Sequence, residues 1–437
     1  MASAALLCFD ELYIIFPNMN CTIVGAGLLG LSSAWYLSLL GYRVKVFESH
    51  SDVSLETSFA NGGMLHASEA SPWNHPGIFQ EALKMLGKED SALLIRPSAV
   101  PFMLPWIFSF FKHSRLQSFE RNLKKNLSLA RYSLEVMHHD FLSKDSSYQI
   151  GLSGILKIFY DKDEMNQGVL SANKAREFGT SFEVLDKQMT VELEPSLAPI
   201  SSKLCGSIYF PEDMCGDAYE FSKLLKKNCE KNGVEFFFNS KVQSLAHENK
   251  KLNGVVVKDQ HFPCDLCVVS AGTSSKSLLK TAKIPLSVEP VKGYSVTIPM
   301  DNWKCKPQIP VIDEQKHAAV CPLSNSLRVA GTAEFAGDNK VLTEKRLENL
   351  ITICRSLFPE EDISQEVFEN KPWCGFRPMT PDGVGIVGET PINGLYVNTG
   401  HGHLGWTMAL GSGKMLASVV NKSECPIDAS DYSYNRF

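Results

Sequence analysis

Three glycines and one acid carry the first chemistry legible in this chain. Residues 20–30 read Asn-Cys-Thr-Ile-Val-Gly-Ala-Gly-Leu-Leu-Gly, and residues 43–48 read Arg-Val-Lys-Val-Phe-Glu. A β-branched strand runs into Gly25-x-Gly27-x-x-Gly30, an apolar helical pattern follows, and a second strand ends on Glu48. Gly25 permits the turn out of the strand, Gly27 lets a pyrophosphate approach the backbone, and Gly30 lets the helix pack close to the sheet. The helix N-terminus offers unpaired N–H groups to phosphate. Glu48, 23 residues beyond Gly25, stands where a carboxylate accepts hydrogen bonds from ribose hydroxyls and repels a 2′-phosphate. Together these residues predict an adenine dinucleotide site that disfavours NADP.

Two further small-residue turns fit the same ligand. The apolar strand Cys264–Ser270 runs into Ala271-Gly272, and the carboxyl edge of a parallel sheet is the ligand crevice. Thr399-Gly400-His401-Gly402-His403-Leu404-Gly405-Trp406 precedes a helical pattern expected at about 404–420.

These residues need elements to hold them. A helical pattern runs from about 80 to 145, with Leu116–Leu142 the clearest amphipathic stretch; 150–160 reads as strand, Asp217–Asn232 as helix, and 289–370 as mostly strand with a helix near 342–357. A nucleotide domain opened at residue 20 and closed only after 375 must be discontinuous. The fold class expected is α/β, a Rossmann-like domain with an inserted α+β domain. The divisions are 19–80, 216–288 and 375–437 for the nucleotide domain, with 81–215 (mostly) and 289–374 for the other. Residues 1–18 are an extension of no predicted function. They contain Asp10 and Glu11 and no Lys or Arg, so they lack the basic start of a secretory signal.

Composition excludes several classes. With 437 residues, 44% hydrophobic, 21% charged and a net charge of −5, nothing points to a nucleic-acid partner. Twelve cysteines are scattered, and the one CxxC, Cys264–Cys267, lies within a strand. No metal site, reduced thiols and a cytoplasmic location are expected. The run Ala99–Phe111 is almost wholly apolar and precedes Lys112, His113 and Arg115. It is too short to span a bilayer. Two readings stay open: a segment lying in a membrane surface with Trp106 at the headgroups, or a helix packed inside the second domain.

From Asn20 onward the chain resembles the D-amino-acid dehydrogenase small-subunit family, among FAD-dependent amino-acid oxidoreductases. The motifs are Gly25–Gly30 with Glu48, Glu56-Thr-Ser-x-x-Asn61, Lys292-Gly-Tyr-Ser295, Gly375-Phe-Arg-Pro-Met-Thr-Pro-Asp-Gly383 and Thr399-Gly-His-Gly-x-Leu-Gly-Trp-Thr407. The loop Met64–Ser71 and His403 depart from the usual pattern. The resemblance implies FAD, held by Gly25, Gly27, Leu28, Leu29, Gly30, Glu48, Ser58, Asn61, Val242, Gly272, Gly400, His401, Gly402, His403, Leu404 and Gly405. It implies a small D-amino acid as substrate, D-alanine among them, oxidised by hydride transfer to a 2-oxo acid and ammonia. Arg377 is the candidate carboxylate clamp, because a guanidinium fork matches a carboxylate at two points. Tyr294 is expected to add a phenol hydrogen bond. The Gly400–Gly405 loop, opening the last helix, is expected to stabilise the reduced flavin anion with free N–H groups. His401 and His403 are assigned cap or packing roles, since a neutral amine needs no protein base at Cα. Cys374 is read as structural.

No cysteine set for an iron–sulfur cluster and no haem attachment motif is present, so electrons must leave to an external acceptor. The resemblance places it in the respiratory membrane as a quinone, with peripheral contact on the cytoplasmic face of the inner membrane. The alternatives are an oxidase of D-amino acids, glycine or sarcosine, a D-proline or hydroxyproline dehydrogenase, and a flavin-binding subunit without its own catalysis.

Overall fold

The computed structural model describes residues 19–437 except 86, 88–92, 145–147, 149 and 364–371; the extension 1–18 lies outside the described residues. The first strand, Asn20–Val24, is β-branched and buried on both faces. It pairs in parallel with Arg43–Phe47 on one side and Leu266–Val269 on the other. Six strands form this sheet, in the order Ile386–Glu389, Leu395–Thr399, Leu266–Val269, Asn20–Val24, Arg43–Phe47, Glu235–Phe237; all pairs are parallel except the first. Its strands come from three distant parts of the chain. Helices Leu28–Leu39, Ala218–Lys231 and Ala409–Asn421 supply buried residues to the core on it.

A second, nine-stranded mixed sheet carries Trp373–Met379, Glu289–Pro299 and Ser326–Phe335 side by side. Helix Glu344–Leu357 buries Leu347, Leu350, Ile351 and Cys354 against it. The protein is thus mixed α/β. The short strand Leu93–Ile95, which pairs with Ser326–Phe335, interrupts the run expected to be helical from 80 to 145. Its three residues carry too little pattern to show in sequence. The amphipathic stretch divides into an α-helix, Leu116–Val136, and a wider π-helical turn, Met137–Leu142. Cys264 and Cys267 are buried and free.

The apolar run forms helix Val100–His113. Trp106 does not face outward as the membrane reading required: it is buried, and its Nε1 donates to the Met379 carbonyl at 3.0 Å. An indole N–H inside a protein needs such an acceptor. The outward face carries Phe102 and Phe108 instead, 83% and 73% exposed. No described helix is long and apolar enough to cross a membrane.

Candidate active site

A cavity of about 1900 Å³ is walled by residues of both sheets. At one side the strand–turn–helix shapes it. Gly25 has φ 101°, and a Cβ there would come within 2.7 Å of the Ser270 carbonyl oxygen; a Cβ at Gly30 would collide with the Gly25 carbonyl. Both are needed for the protein's own packing. Gly27 differs. The nearest protein atom to a Cβ there is Ser58 Oγ at 3.9 Å, so a larger side chain would fill the cavity. Gly27 also caps helix Leu28–Leu39, which has no side-chain cap and no acid in its first turn. That leaves an N-terminus suited to an anion.

Glu48 is held on the same wall. Its Oε2 accepts from the Ala26 N–H at 2.7 Å, and its Oε1 from the His50 N–H and the Ser49 hydroxyl, both at 2.9 Å. Burial opposes ionisation, but these hydrogen bonds outweigh it and hold the carboxyl below its usual range. Leu28, Leu29, Ser58, Asn61, Val242, Gly272, His401, Gly402, His403 and Gly405 border the cavity as well.

Gly30, Gly400 and Leu404 do not border it. Gly400 serves clearance: with φ 81°, a Cβ there would meet Thr380 Cγ2 at 2.7 Å. The loop also does not open the last helix, as expected. Gly402–Leu404 is a single 3₁₀ turn, and the α-helix begins only at Ala409. Gly400 and Gly402 are left-handed, at φ 81° and 56°, which a right-handed helix excludes. Leu404 is a core residue whose N–H is donated to the His401 carbonyl at 3.0 Å, so it is not a free donor.

His401 is the informative member of the loop. It is 3% exposed, and neither ring nitrogen has a hydrogen-bond partner among the described residues. Burial, then the Arg436 charge, pushes its pKa down to about 3. The ring packs over Gly385, where a Cβ would meet Nε2 at 2.7 Å, so the imidazole is a packing group of the loop. His403 places Nε2 3.1 Å from the Glu69 carbonyl and stacks on Trp73 at 5.3 Å. Burial also pushes its pKa down, to about 4.

Arg377 reaches the cavity across the second sheet. Val291 and Gly293 lie on the neighbouring strand, paired with Arg377 and Gly375, so the side chains of 291, 293, 375 and 377 share a face. The guanidinium lies over Gly293, where a Cβ would meet Nη1 at 2.5 Å. It donates to the Thr332 carbonyl at 3.1 Å, and its Cζ is 5.5 Å from the Trp73 ring centre. Among the described residues no carboxylate lies within ion-pair distance of it. Burial lowers its pKa to about 10.

Tyr294 is corrected. It borders the cavity, but strand alternation turns its side chain to the opposite face, into the core under helix Glu344–Leu357. Its hydroxyl donates to Glu334 Oε2 at 2.6 Å, a carboxylate also bonded by Arg96 Nε at 2.7 Å. The one phenolic proton is therefore engaged, and Tyr294 is not a donor to a ligand. Cys374, on the same face, donates its thiol to the Lys340 carbonyl at 3.3 Å.

Sequence reading passed over Trp73, Thr332 and the Met64–Ser71 loop as contributors. The loop is anchored by Lys157, buried between Glu69 and Glu314, and by Asp213. Asp213 Oδ1 accepts from the Ala67 N–H at 2.9 Å, with Ser68 also beside the carboxyl. Burial raises this carboxyl to about 7, above its unfolded value, so the folded state binds the extra proton between roughly pH 4 and 7. Stability from this group is present at low pH and is lost as pH rises through 7. Asp213→Asn should therefore raise the thermal midpoint by several degrees at pH 8 and hardly at all at pH 4. Equal gains at both pH values would refute the ionisation.

The model of the family described as FAD dependent oxidoreductase (DAO) matches residues 20–419. The chain belongs to this family. A protein of Vibrio atlanticus named D-amino acid dehydrogenase is 36% identical over 420 residues, covering 96% of this chain and all of that one. One of the same name from Vibrio cholerae is 38% identical over 410 residues, 94% of this chain and 96% of the other. Among solved structures, L-proline dehydrogenase from P. horikoshii superposes with a TM-score of 0.74 at 16% identity, covering 95% and 97% of the two chains, a likeness of fold. FAD is the cofactor of the family, and the cavity fits it in two respects: the space above Gly27 and the ionised Glu48.

Proposed function

We propose that this flavoprotein is a D-amino-acid dehydrogenase, and that Arg377 carries the reading. A half-buried guanidinium that faces a cavity and has no carboxylate partner among the described residues is set up to receive one from a ligand. Gly25–Leu29 would hold the pyrophosphate and Glu48 the ribose, with Ser58, Asn61, Val242, Gly272 and the His401–Gly405 loop along the rest of the cofactor. Bound FAD supplies a two-electron acceptor. The protein's own residues bind the substrate carboxylate at Arg377 and orient Cα. His401 and His403 stay neutral at pH 7 and do not serve as cationic acids. The relatives' name supports D-amino acids, with D-alanine the first to test. Purified holoprotein mixed anaerobically with D- and L-amino acids should bleach with D-enantiomers. Bleaching by L-enantiomers alone would refute the assignment.

We further propose a quinone as electron acceptor, reached at a membrane surface through helix Val100–His113. Phe102 is exposed on that helix and also borders the cavity, as does Ala99. Each fully buried Phe contributes about 1.5–3 kcal/mol. Phe102→Glu with Phe108→Glu should therefore reduce membrane partition about 100-fold or more and slow quinone reduction. Trp106 is left intact because it is core. Anaerobic bleaching by substrate should be unchanged; unaltered quinone reduction would remove this helix from the route.

A further inference from the structure

Thr332 has a backbone that its residue type disfavours. Its φ is 60°, in the left-handed region that a β-branched side chain rarely adopts. The cause is a register shift. Lys292 pairs with Glu334 and Tyr294 with Gly331, so Thr332 and Ala333 stand opposite the single residue Gly293. This is a β-bulge, a device that re-aims side chains. It has two results at the cavity. The Thr332 carbonyl turns to Arg377 Nη1, 3.1 Å away, and the hydroxyl finds no acceptor or donor among the described residues. The residue is 9% exposed and borders the cavity. A buried hydroxyl without a partner carries a desolvation cost that a ligand would remove. Backbone strain of this kind, once observed, points to function.

We propose that the Thr332 hydroxyl is a second hydrogen-bond donor to the substrate carboxylate, beside the Arg377 guanidinium. This rests on the reading that Arg377 receives that carboxylate. A carboxylate has two oxygens and about four acceptor sites, so it can take two bonds from the guanidinium and one from a neighbouring hydroxyl. Guanidinium and Thr332 are brought together because Arg377 crosses the clearance at Gly293 and bonds the Thr332 carbonyl. Gly293, Thr332 and Arg377 thus form one device spread over three adjacent strands.

Three variants test it, with FAD content and thermal midpoint measured on each. The probe is 2-aminoisobutyrate, which has the amine and carboxylate but no α-hydrogen, titrated into holoprotein against the flavin spectrum. KM and kcat for D-alanine are measured in parallel. Thr332→Val keeps the shape and removes the hydroxyl. It should weaken probe binding and raise KM roughly tenfold, with kcat within about threefold and FAD content unchanged. Thr332→Ser should stay within about threefold of the parent. Thr332→Gly should bind as weakly as Val yet melt higher, because glycine relieves the left-handed strain; it also serves if Val does not fold. Val and Gly variants that bind like the parent overturn the proposal. So does a Ser variant as weak as Val, which assigns the effect to packing, or a loss of FAD rather than probe, which places the hydroxyl on the cofactor. Arg377→Lys, run beside them, separates the two levels. If Lys binds poorly and Val normally, only Thr332 is wrong; if Lys binds like the parent, the carboxylate reading itself falls.

Discussion

Gly27→Phe protein should purify folded and colourless. The expectation comes from what a side chain would meet at each glycine of the turn. At Gly25 and Gly30 it would meet this protein's own backbone, Ser270 O and Gly25 O, so bulk there would break the strand–turn–helix itself. At Gly27 it would meet no protein atom closer than Ser58 Oγ at 3.9 Å. A phenyl ring would instead occupy space over the helix N-terminus where a pyrophosphate must approach. The loss should exceed about 100-fold in FAD affinity, the scale of excluding a charge-assisted contact worth about 1.5–3 kcal/mol together with a steric overlap. Circular dichroism should match that of the parent stripped of cofactor, while absorbance near the flavin bands should be absent after gel filtration. A yellow Gly27→Phe protein with one FAD per chain would place the cofactor elsewhere. A Gly30→Ala protein that folded normally would undermine the packing half of the contrast.

The nucleotide end of the site was legible because its logic is local. Gly25, Gly27, Gly30 and Glu48 lie on one βαβ unit, and each is read from a spacing of a few residues. The substrate end is assembled differently. Arg377, Gly293 and Thr332 come from three strands that meet only in the folded sheet. No spacing joins them. Tyr294 was misread for the same reason. A residue beside Gly293 looks close to Arg377 in a motif, yet strand alternation sends it to the other face, where Glu334 takes its proton. The folded strand shows the parity: Ser295, on Arg377's face, donates to the Ala60 carbonyl at 2.7 Å, and Tyr294 is one step out of phase with it. The bulge at Thr332 was not available, since an extra residue in a strand changes no residue type. The last helix was placed too early because Gly400–Gly405 matches a helix-opening turn in composition, while the chain makes a separate 3₁₀ turn at Gly402–Leu404 before the α-helix starts at Ala409. At Val100–His113 the apolar composition left two readings open, because it does not say which residues face outward. The identity of the outward residues followed from Trp106 needing an acceptor, which only the folded strand end at Met379 supplies.

Arg377→Lys should lower kcat/KM for the D-amino acid substrate about 100-fold, near 2.7 kcal/mol, with FAD content unchanged. The charge is kept, so the size of the loss measures the geometry. Arg377 crosses Gly293, gives one Nη1 bond to Thr332 and lies by Trp73, which fixes the plane of the fork before a ligand arrives. A lysine ammonium has no plane to fix, and its three donors fan out from one nitrogen instead of meeting a carboxylate edge as a fork. pH gives an independent reading. Burial sets Arg377 at about 10, below its usual value, and only the cation binds a carboxylate. Affinity is therefore present below pH 10 and fades as pH rises through it. Lysine starts from a lower intrinsic pKa, near 10.4, and the same burial pushes it down further. In the Lys variant the fade should begin at lower pH, and the deficit against the parent should widen between pH 7 and 9. The substrate amine titrates in the same range, so the comparison is made with propionate, which has a carboxylate and no amine, as competitor. A propionate affinity equal to that of the parent at every pH would show that Arg377 does not hold the carboxylate.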